Sequence, residues 1–238
     1  MRMNHVIHKE ESWAVAYDAS LMSVPGPDYF SVEYWRSQQA VTGEAIGRGS
    51  AWYLEAPHGP VVLRHYLRGG WAAAFSRQSY FFTGVEKSRP FREYHVLVEM
   101  FADGLPVPRP VAALCQHHGM LSTGALMTAR IPSAKTLAEM VSSGDVVDGV
   151  WIRVGECIRK FHEAGAWHAD LNIRNILLDQ DLKVYLIDFD RAQYSPGKPV
   201  NGEGNLKRLK RSLQKFWTPA NLPELQVVWN ELEAGYEK

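Results

Sequence analysis

A chain of 238 residues with 46% hydrophobic residues is long enough to bury a sizeable core, in one large domain or in two small lobes. Its 26 basic residues balance its 26 acidic residues, which argues against a nucleic-acid-binding protein and leaves room only for local charged patches. The two cysteines, Cys115 and Cys157, lie far apart, so neither a disulfide framework nor a structural zinc site is expected.

Strands dominate the predictions for the beginning of the chain. Alternating apolar residues predict a strand over 13–21, and a loop with a short helix follows it. Glycine and proline residues then divide the next segment into a strand, a glycine turn, a strand over 51–56, a tight turn and a strand over 61–66.

A helix and two more strands complete this first half. Pro90 is favoured as a first helical residue, and apolar residues at helical spacing follow it over 90–101. Two further strands fit 110–116 and 123–128, and a short connector follows at 129–133.

The second half of the chain is mainly helical. Trp151, Val154, Ile158 and Phe161 form the apolar stripe of a helix that stops near Gly165. The sequence therefore predicts an α+β fold with two lobes, a strand-rich lobe over 1–131 and a helical lobe over 132–238. A cleft between such lobes is a common place for a ligand.

Polar side chains surround a short predicted hairpin in the second lobe. Its strands cover 176–178 and 184–189, which brings Asn175 close to Asp188. Two oxygen ligands beside phosphate suit Mg²⁺, and Asp170 in the same loop can reach an acceptor hydroxyl. These parts are the ones that phosphoryl transfer requires.

The spacing of these residues is that of a kinase catalytic loop. His168-x-Asp170-Leu171-x-x-x-Asn175 matches the HRDLxxxN pattern, and an Asp-Phe pair, Asp188-Phe189, follows at the expected distance. Asp190 stands where protein kinases have glycine. An aspartate is less permissive there than glycine, so the pattern predicts a fixed metal site without a switching segment. Its role is open: it could cap a turn, pair with an arginine or add a carboxylate near the metals.

Upstream residues supply the remaining parts of a nucleotide site. Gly47, Arg48, Gly49 and Ser50 lie between two predicted strands and fit a loop that covers phosphates, although Trp52 stands where a third glycine would be. Arg64 occupies the place of the usual lysine on the next strand, and its forked guanidinium suits phosphate. The following helix offers Glu93 or Glu99 to orient that base, and Glu93 is favoured.

Several segments resemble the bacterial lipopolysaccharide kinases of the Kdo/WaaP type. They run from about Gly47 to about Trp217, and they are GRGSAWY, VVLRHYLRGG, FREYHVL, GLPVPRPVAA, HADLNIRNILL and LIDFDRA. The resemblance implies a bilobal protein-kinase-like fold. It also implies that ATP, with Mg²⁺, donates its γ-phosphate to the 4-hydroxyl of 3-deoxy-D-manno-octulosonic acid (Kdo) on lipid A, at the cytoplasmic face of the bacterial inner membrane.

The resemblance also implies roles for single residues. Asp170 matches the catalytic aspartate, Asn175 and Asp188 match the metal ligands, and Arg64 with Glu93 matches the Lys–Glu pair of protein kinases. His168 is expected to pack on Phe189. Asn172 falls where many kinases carry a lysine, so other cations must meet the phosphate charge, and the local candidates are Arg48, Arg64 and Arg174.

An acceptor with a carboxylate and phosphates calls for basic surface. Arg68 and Trp71 are candidate acceptor contacts because guanidinium groups match carboxylates and sugar rings stack on tryptophan. Asn172 and Arg174 are further candidates. The segment 205–217 is a basic amphipathic helix that either packs its leucines into the lobe, lies on an anionic membrane, or does both.

Two other interpretations stay open. One is another small-molecule phosphotransferase, such as an aminoglycoside-type enzyme, which the basic segments disfavour. The other is a nucleotide-binding scaffold without turnover, which the substitution of Arg64 for lysine favours. Neither a signal peptide nor a membrane span is indicated, so a cytoplasmic protein is expected, with attachment to a membrane surface left open.

Overall fold

The computed structural model describes residues 3–45, 51–66, 80–82, 84–217 and 225–238. The chain divides into two compact units. One contains Met1–Ala102 together with Arg109–Arg130, and the other contains Asp103–Pro108 together with Ile131–Lys238.

The first unit is built on an eight-stranded sheet. Its strands are β1 (His5–Lys9), β2 (Trp13–Asp18), β3 (Val41–Ala45), β4 (Ala51–Ala56), β5 (Gly59–His65), β6 (Tyr80–Phe81), β7 (Pro110–His118) and β8 (Leu121–Ala129). They are hydrogen-bonded in the order β1-β2-β7-β8-β5-β4-β3, and β6 pairs with β8. The pairings are antiparallel, so consecutive strands form hairpins at β1–β2, β4–β5 and β7–β8.

Among the described residues, two α-helices accompany this sheet, α1 (Val32–Ser37) and α2 (Arg89–Ala102). Helix α2 buries Phe91, Tyr94, Leu97 and Met100, and each of them lies close on the helix surface to the next one, three residues away. It packs on β7 and β8. The fit is close, because a Cβ atom at Gly124 of β8 would lie 2.5 Å from Pro90 Cγ.

In the ranges that the structure describes, the second unit combines four α-helices with short strands. Its helices are α3 (Leu137–Ser143), α4 (Val150–Ala164), α5 (Glu203–Phe216) and α6 (Leu225–Glu237). Its strands are β9 (Lys135–Thr136), β10 (Ala166–Trp167), β11 (Ile176–Leu178), β12 (Val184–Leu186) and β13 (Gln193–Tyr194). They form a sheet of order β12-β11-β9 and a separate β10–β13 pair.

The predicted α+β class is confirmed, with the strands concentrated early in the chain and the helices late. Two predicted strands are too long. The strand predicted over 13–21 ends at Asp18. The buried Asp18 carboxylate accepts hydrogen bonds from the Asn4 and Ser20 N–H groups and from Arg109, and these bonds hold the turn that follows the strand. The strand predicted over 184–189 ends at Leu186, because Asp188 adopts a left-handed backbone with φ of 64°.

Helices α4 and α6 pack so closely that glycine is required where they meet. A Cβ atom on Gly155 would lie 2.1 Å from the Leu232 carbonyl oxygen, and one on Gly235 would lie 2.1 Å from the Ile152 carbonyl oxygen. Such distances are far inside van der Waals contact, so a side chain at either position must push the helices apart.

Gly155→Ala should therefore lower the free energy of unfolding by about 3 kcal/mol, the upper part of the usual range for overpacking. For a chain of this size that loss corresponds to a decrease in Tm of roughly 6–12 °C. Gly204→Ala is the matched control, since a Cβ atom there meets nothing within 4 Å in helix α5. Calorimetry on both variants checks the prediction, and an unchanged Tm for Gly155→Ala would contradict it.

Candidate active site

The β11–β12 hairpin sets the positions of two predicted metal ligands. Ile176 pairs with Leu186, and the Ile187 N–H donates to the Asn175 carbonyl oxygen at 3.0 Å. Asn175 thus precedes β11 directly opposite Ile187, with Asp188 one residue further along. The Asn175 Nδ2 donates to the Asp170 carbonyl oxygen at 2.9 Å, so the Oδ1 atom is the one available to a cation.

His168 connects the loop of Asp170 to the segment that ends in Asp188. Its Nδ1 accepts the Asp170 backbone N–H at 3.1 Å, and its Nε2 therefore donates to the Ile187 carbonyl oxygen at 2.9 Å. Burial lowers the pKa of His168, which favours this neutral form. The ring also packs on Phe189, with ring centroids 4.9 Å apart, as the sequence predicted.

Asp170 lies at the surface, and its carboxylate is reachable. Its side chain is 65% exposed. Asn172 Nδ2 donates to the Asp170 carbonyl oxygen at 2.8 Å and to Oδ2 at 3.2 Å, while Arg208 Nη1 lies 3.4 Å from Oδ1. A carboxylate held in this way remains accessible to a hydroxyl from outside.

The backbone around Phe189 is unusual for residues other than glycine. Asp188 and Arg191 have φ of 64° and 60°, whereas the φ of Asp190 is not positive. Phe189 is buried against Phe161 at 5.7 Å between ring centroids. The left-handed residue is thus the aspartate that aligns with the metal ligand, and the position that is glycine in protein kinases does not demand glycine here.

Arg64 and Glu93, predicted as a pair, are brought together in the first unit. Arg64 Nη2 lies 2.5 Å from Glu93 Oε2, and the Glu93 side chain is 2% exposed. The Tyr66 hydroxyl donates to the same Oε2 atom at 2.5 Å. Tyr66 was not predicted, although it lies two residues after Arg64 and alternation along a strand places such residues on one face.

The other predicted contacts divide into two groups. Gly47, Arg48, Gly49, Ser50, Arg68 and Trp71 lie outside the described residues. Asn172 and Arg174 are described: the Asn172 Oδ1 accepts the Arg174 N–H at 2.9 Å, and the Arg174 guanidinium lies 4.8 Å from the centre of the Phe216 ring.

Asn205 and Arg208 belong to the site, but the sequence predicted them only as part of a basic amphipathic helix. Asn205 is 1% exposed, so it lies on the packed side of α5. The available signal was that Asn205 lies four and eight residues before Leu209 and Leu213, on the side of the helix expected to be buried, because a polar group there needs hydrogen-bond partners.

A neutral histidine links the loop of Asp170 to the Asp188 segment on an α+β framework, and this arrangement agrees with the kinase catalytic-loop pattern in the sequence. WaaP in complex with acyl carrier protein has a similar fold, with a TM-score of 0.52, 13% identity, and coverage of 85% of this chain and 81% of that chain. The predicted kinase-like fold is therefore confirmed.

The family model described as "Lipopolysaccharide kinase (Kdo/WaaP) family" matches residues 32–229, and the chain belongs to that family. The 3-deoxy-D-manno-octulosonic acid kinase of Vibrio cholerae serotype O1 is 38% identical, with coverage of 84% of this chain and 85% of the relative. The protein of the same description from Stenotrophomonas maltophilia strain R551-3 is also 38% identical, over 94% of this chain and 89% of the relative. The chain is therefore a kinase, and kinases of this class use ATP.

Proposed function

We propose that this kinase transfers the γ-phosphate of ATP to the 4-hydroxyl of Kdo in Kdo–lipid A, during assembly of the lipopolysaccharide core. The observation that carries this proposal is the identity of 38% to a Kdo kinase over 84% of the chain. The exposed Asp170 carboxylate supports it, since a hydroxyl on a large lipid-linked sugar must approach from outside.

In the proposed reaction, Asp170 orients the acceptor hydroxyl and accepts its proton. Arg64 binds phosphate oxygens, and Glu93 with Tyr66 holds its guanidinium in place. These roles assign nucleotide binding to the lobe over 1–131, without residues 103–108, which group with the other unit, and catalysis to the lobe over 132–238. Residues 47–50 are proposed to cover the phosphates.

The donor set fits Mg²⁺ that arrives with the nucleotide. Within the described ranges, no group of three or more His, Cys, Asp or Glu side chains could hold a metal by itself. Mg²⁺ commonly uses one or two protein oxygens and completes its shell with phosphate and water. The Asn175 Oδ1 and the Asp188 carboxylate are suited to that role, in which the ion would neutralise phosphate charge.

For the acceptor, we propose Arg68, Trp71, Asn172 and Arg174 as contacts. Arg174 is exposed and close to the Phe216 ring, which fits a cation held for an anionic ligand. Asn172 already donates to Asp170, so its contribution would be to fix the catalytic loop beside the acceptor.

Mass spectrometry tests the proposal directly. The protein is incubated with ATP, Mg²⁺ and Kdo–lipid A in detergent, and the lipid is expected to gain one phosphoryl group. Fragmentation then locates that group on the Kdo 4-hydroxyl. Absence of a phosphorylated product, with a lipid A that lacks Kdo as the negative control, would reject Kdo–lipid A as the acceptor.

Helix α5 supports a proposed location at an anionic membrane surface. Within the part of the chain that the structure describes, no helix has the length and apolar character needed to cross a membrane. Lys207, Arg211 and Lys215 are exposed and four residues apart, so they form one stripe along α5, away from the buried Leu209 and Leu213. Basic residues near an anionic surface each contribute about 1 kcal/mol to binding.

Replacing this stripe should separate membrane binding from chemistry. The Lys207/Arg211/Lys215→Glu variant leaves Arg208 in place, and it should bind anionic vesicles at least tenfold more weakly while keeping its kcat on detergent-solubilised Kdo–lipid A. Vesicle sedimentation and a detergent assay measure the two properties. Equal loss in both assays would contradict a membrane role for the stripe.

A further inference from the structure

One face of helix α5 lies along the loop that carries Asp170. Asn205 bonds to His168, Arg208 contacts Asp170, and the Ser212 Oγ accepts the Ile173 N–H at 3.3 Å. The contacting helix residues are three and four positions apart, so they occupy one stripe. Successive turns of the helix therefore meet successive residues of the loop.

Asn205 fixes where that stripe lies. Its Nδ2 donates to the His168 carbonyl oxygen at 2.7 Å, and its Oδ1 accepts the His168 N–H at 3.2 Å. The same Oδ1 contacts His162 Nε2 at 3.0 Å. Because both the Nδ2 and the Oδ1 atoms of this buried amide are hydrogen-bonded, α5 cannot slide or rotate without breaking buried hydrogen bonds. Arg208, one turn further along the helix, is thereby placed beside the Asp170 carboxylate.

Asn172, at the position where a cation is expected, is hydrogen-bonded to Asp170 instead. Asn172 follows Asp170 by two residues, where many kinases carry lysine, but it is neutral and its Nδ2 is bonded to Asp170. The exposed Arg174 lies over Phe216. Of the described cations, Arg208 is the one in contact with the Asp170 carboxylate.

Stability does not explain the Arg208–Asp170 contact. Both side chains are substantially exposed, at 47% and 65%. Exposed ion pairs contribute little to folding because water and salt screen them. The contact instead places a planar group with five N–H donors beside the carboxylate that would orient the acceptor.

We propose, resting on the kinase function above, that Arg208 binds the transferring phosphoryl group and takes the role of the absent catalytic-loop lysine. The acceptor oxygen forms a bond to the γ-phosphorus, and its proton passes to Asp170. The bond from the γ-phosphorus to the bridging oxygen breaks, and ADP leaves with that electron pair. Arg208 donates to the phosphoryl oxygens throughout, which stabilises their charge in the transition state.

Three variants test this role: Arg208→Gln, Arg208→Lys and the control Arg153→Gln. Arg153 is an exposed arginine of helix α4 in the same unit, so the control removes an equal charge. Arg208→Gln should lower kcat by roughly 10²–10³-fold, with a much smaller change in KM for ATP and an unchanged Tm. Arg208→Lys should recover part of kcat, because a cation is restored, and Arg153→Gln should match the wild type.

The readouts separate this proposal from the choice of acceptor. Turnover of Kdo–lipid A and slow hydrolysis of ATP by water are both measured, since the second needs no acceptor. If Kdo–lipid A is not phosphorylated but ATP hydrolysis falls in Arg208→Gln, the acceptor is wrong and the role of Arg208 stands. A kcat for Arg208→Gln within twofold of the wild type, equal losses in Arg208→Gln and Arg208→Lys, or an absence of ATP hydrolysis and of transfer in the wild type would each overturn the role.

Discussion

Asp170→Asn is expected to lower kcat by about 10³-fold, within the range contributed by a positioned acid or base. The amide has nearly the shape of the carboxylate but cannot take the acceptor proton. The fold should hold, because the side chain is 65% exposed and its ion pair with Arg208 is a surface pair. ATP binding should be nearly intact, since the proposed phosphate and metal contacts are other residues.

Steady-state kinetics and calorimetry measure these effects together. Asp181→Asn is the matched control, an identical chemical change at an exposed position in the turn between β11 and β12. A kcat for Asp170→Asn within tenfold of the wild type would remove Asp170 from proton transfer. A large decrease in Tm would instead indicate that the loop had been disrupted.

Asp188→Asn is expected to lower kcat/KM by roughly 10²–10³-fold, the effect of losing one preorganised electrostatic group. Asparagine tolerates the left-handed backbone at this position, where φ is 64°, so the substitution removes the charge and leaves the local geometry. The concentration of Mg²⁺ required for half-maximal activity should rise as well, because the ion loses its carboxylate ligand.

A comparison with Asp188→Ala separates charge from conformation. Alanine loses the same charge but adds backbone strain of about 1–2 kcal/mol at a left-handed position. Both variants should require more Mg²⁺, and only Asp188→Ala should also show a lower Tm. If Asp188→Asn needed no more Mg²⁺ than the wild type, the proposed ligand role would be wrong.

Sequence patterns predicted the elements whose signals are local. Strand 51–56, the helix near 90–101 and strand 176–178 match β4, α2 and β11, because alternation, helical spacing and flanking turn residues are encoded within each segment. The predicted strand 184–189 was too long because apolar residues continue past the point where the backbone turns at Asp188.

Partners distant in the chain were harder to predict. Strand β1 was missed because it has a mixed polar composition and gains its hydrogen bonds by pairing with β2. Arg64 and Glu93 were matched through the kinase pattern, whereas Tyr66 and Arg208 have no such pattern position. Which carboxylate a surface arginine meets depends on how the helices pack, and composition alone does not determine that packing.

The Asn205 amide has a consequence for how the protein is made. The backbone of His168 receives its partner from a residue 37 positions later in the chain. The ribosome therefore synthesises the loop of Asp170 before it adds the helix that orders it. Until α5 is complete, the His168 N–H and carbonyl groups must bond to water, and the loop cannot settle into its final form. The loop of Asp170 thus takes its final form only after α5 has been synthesised.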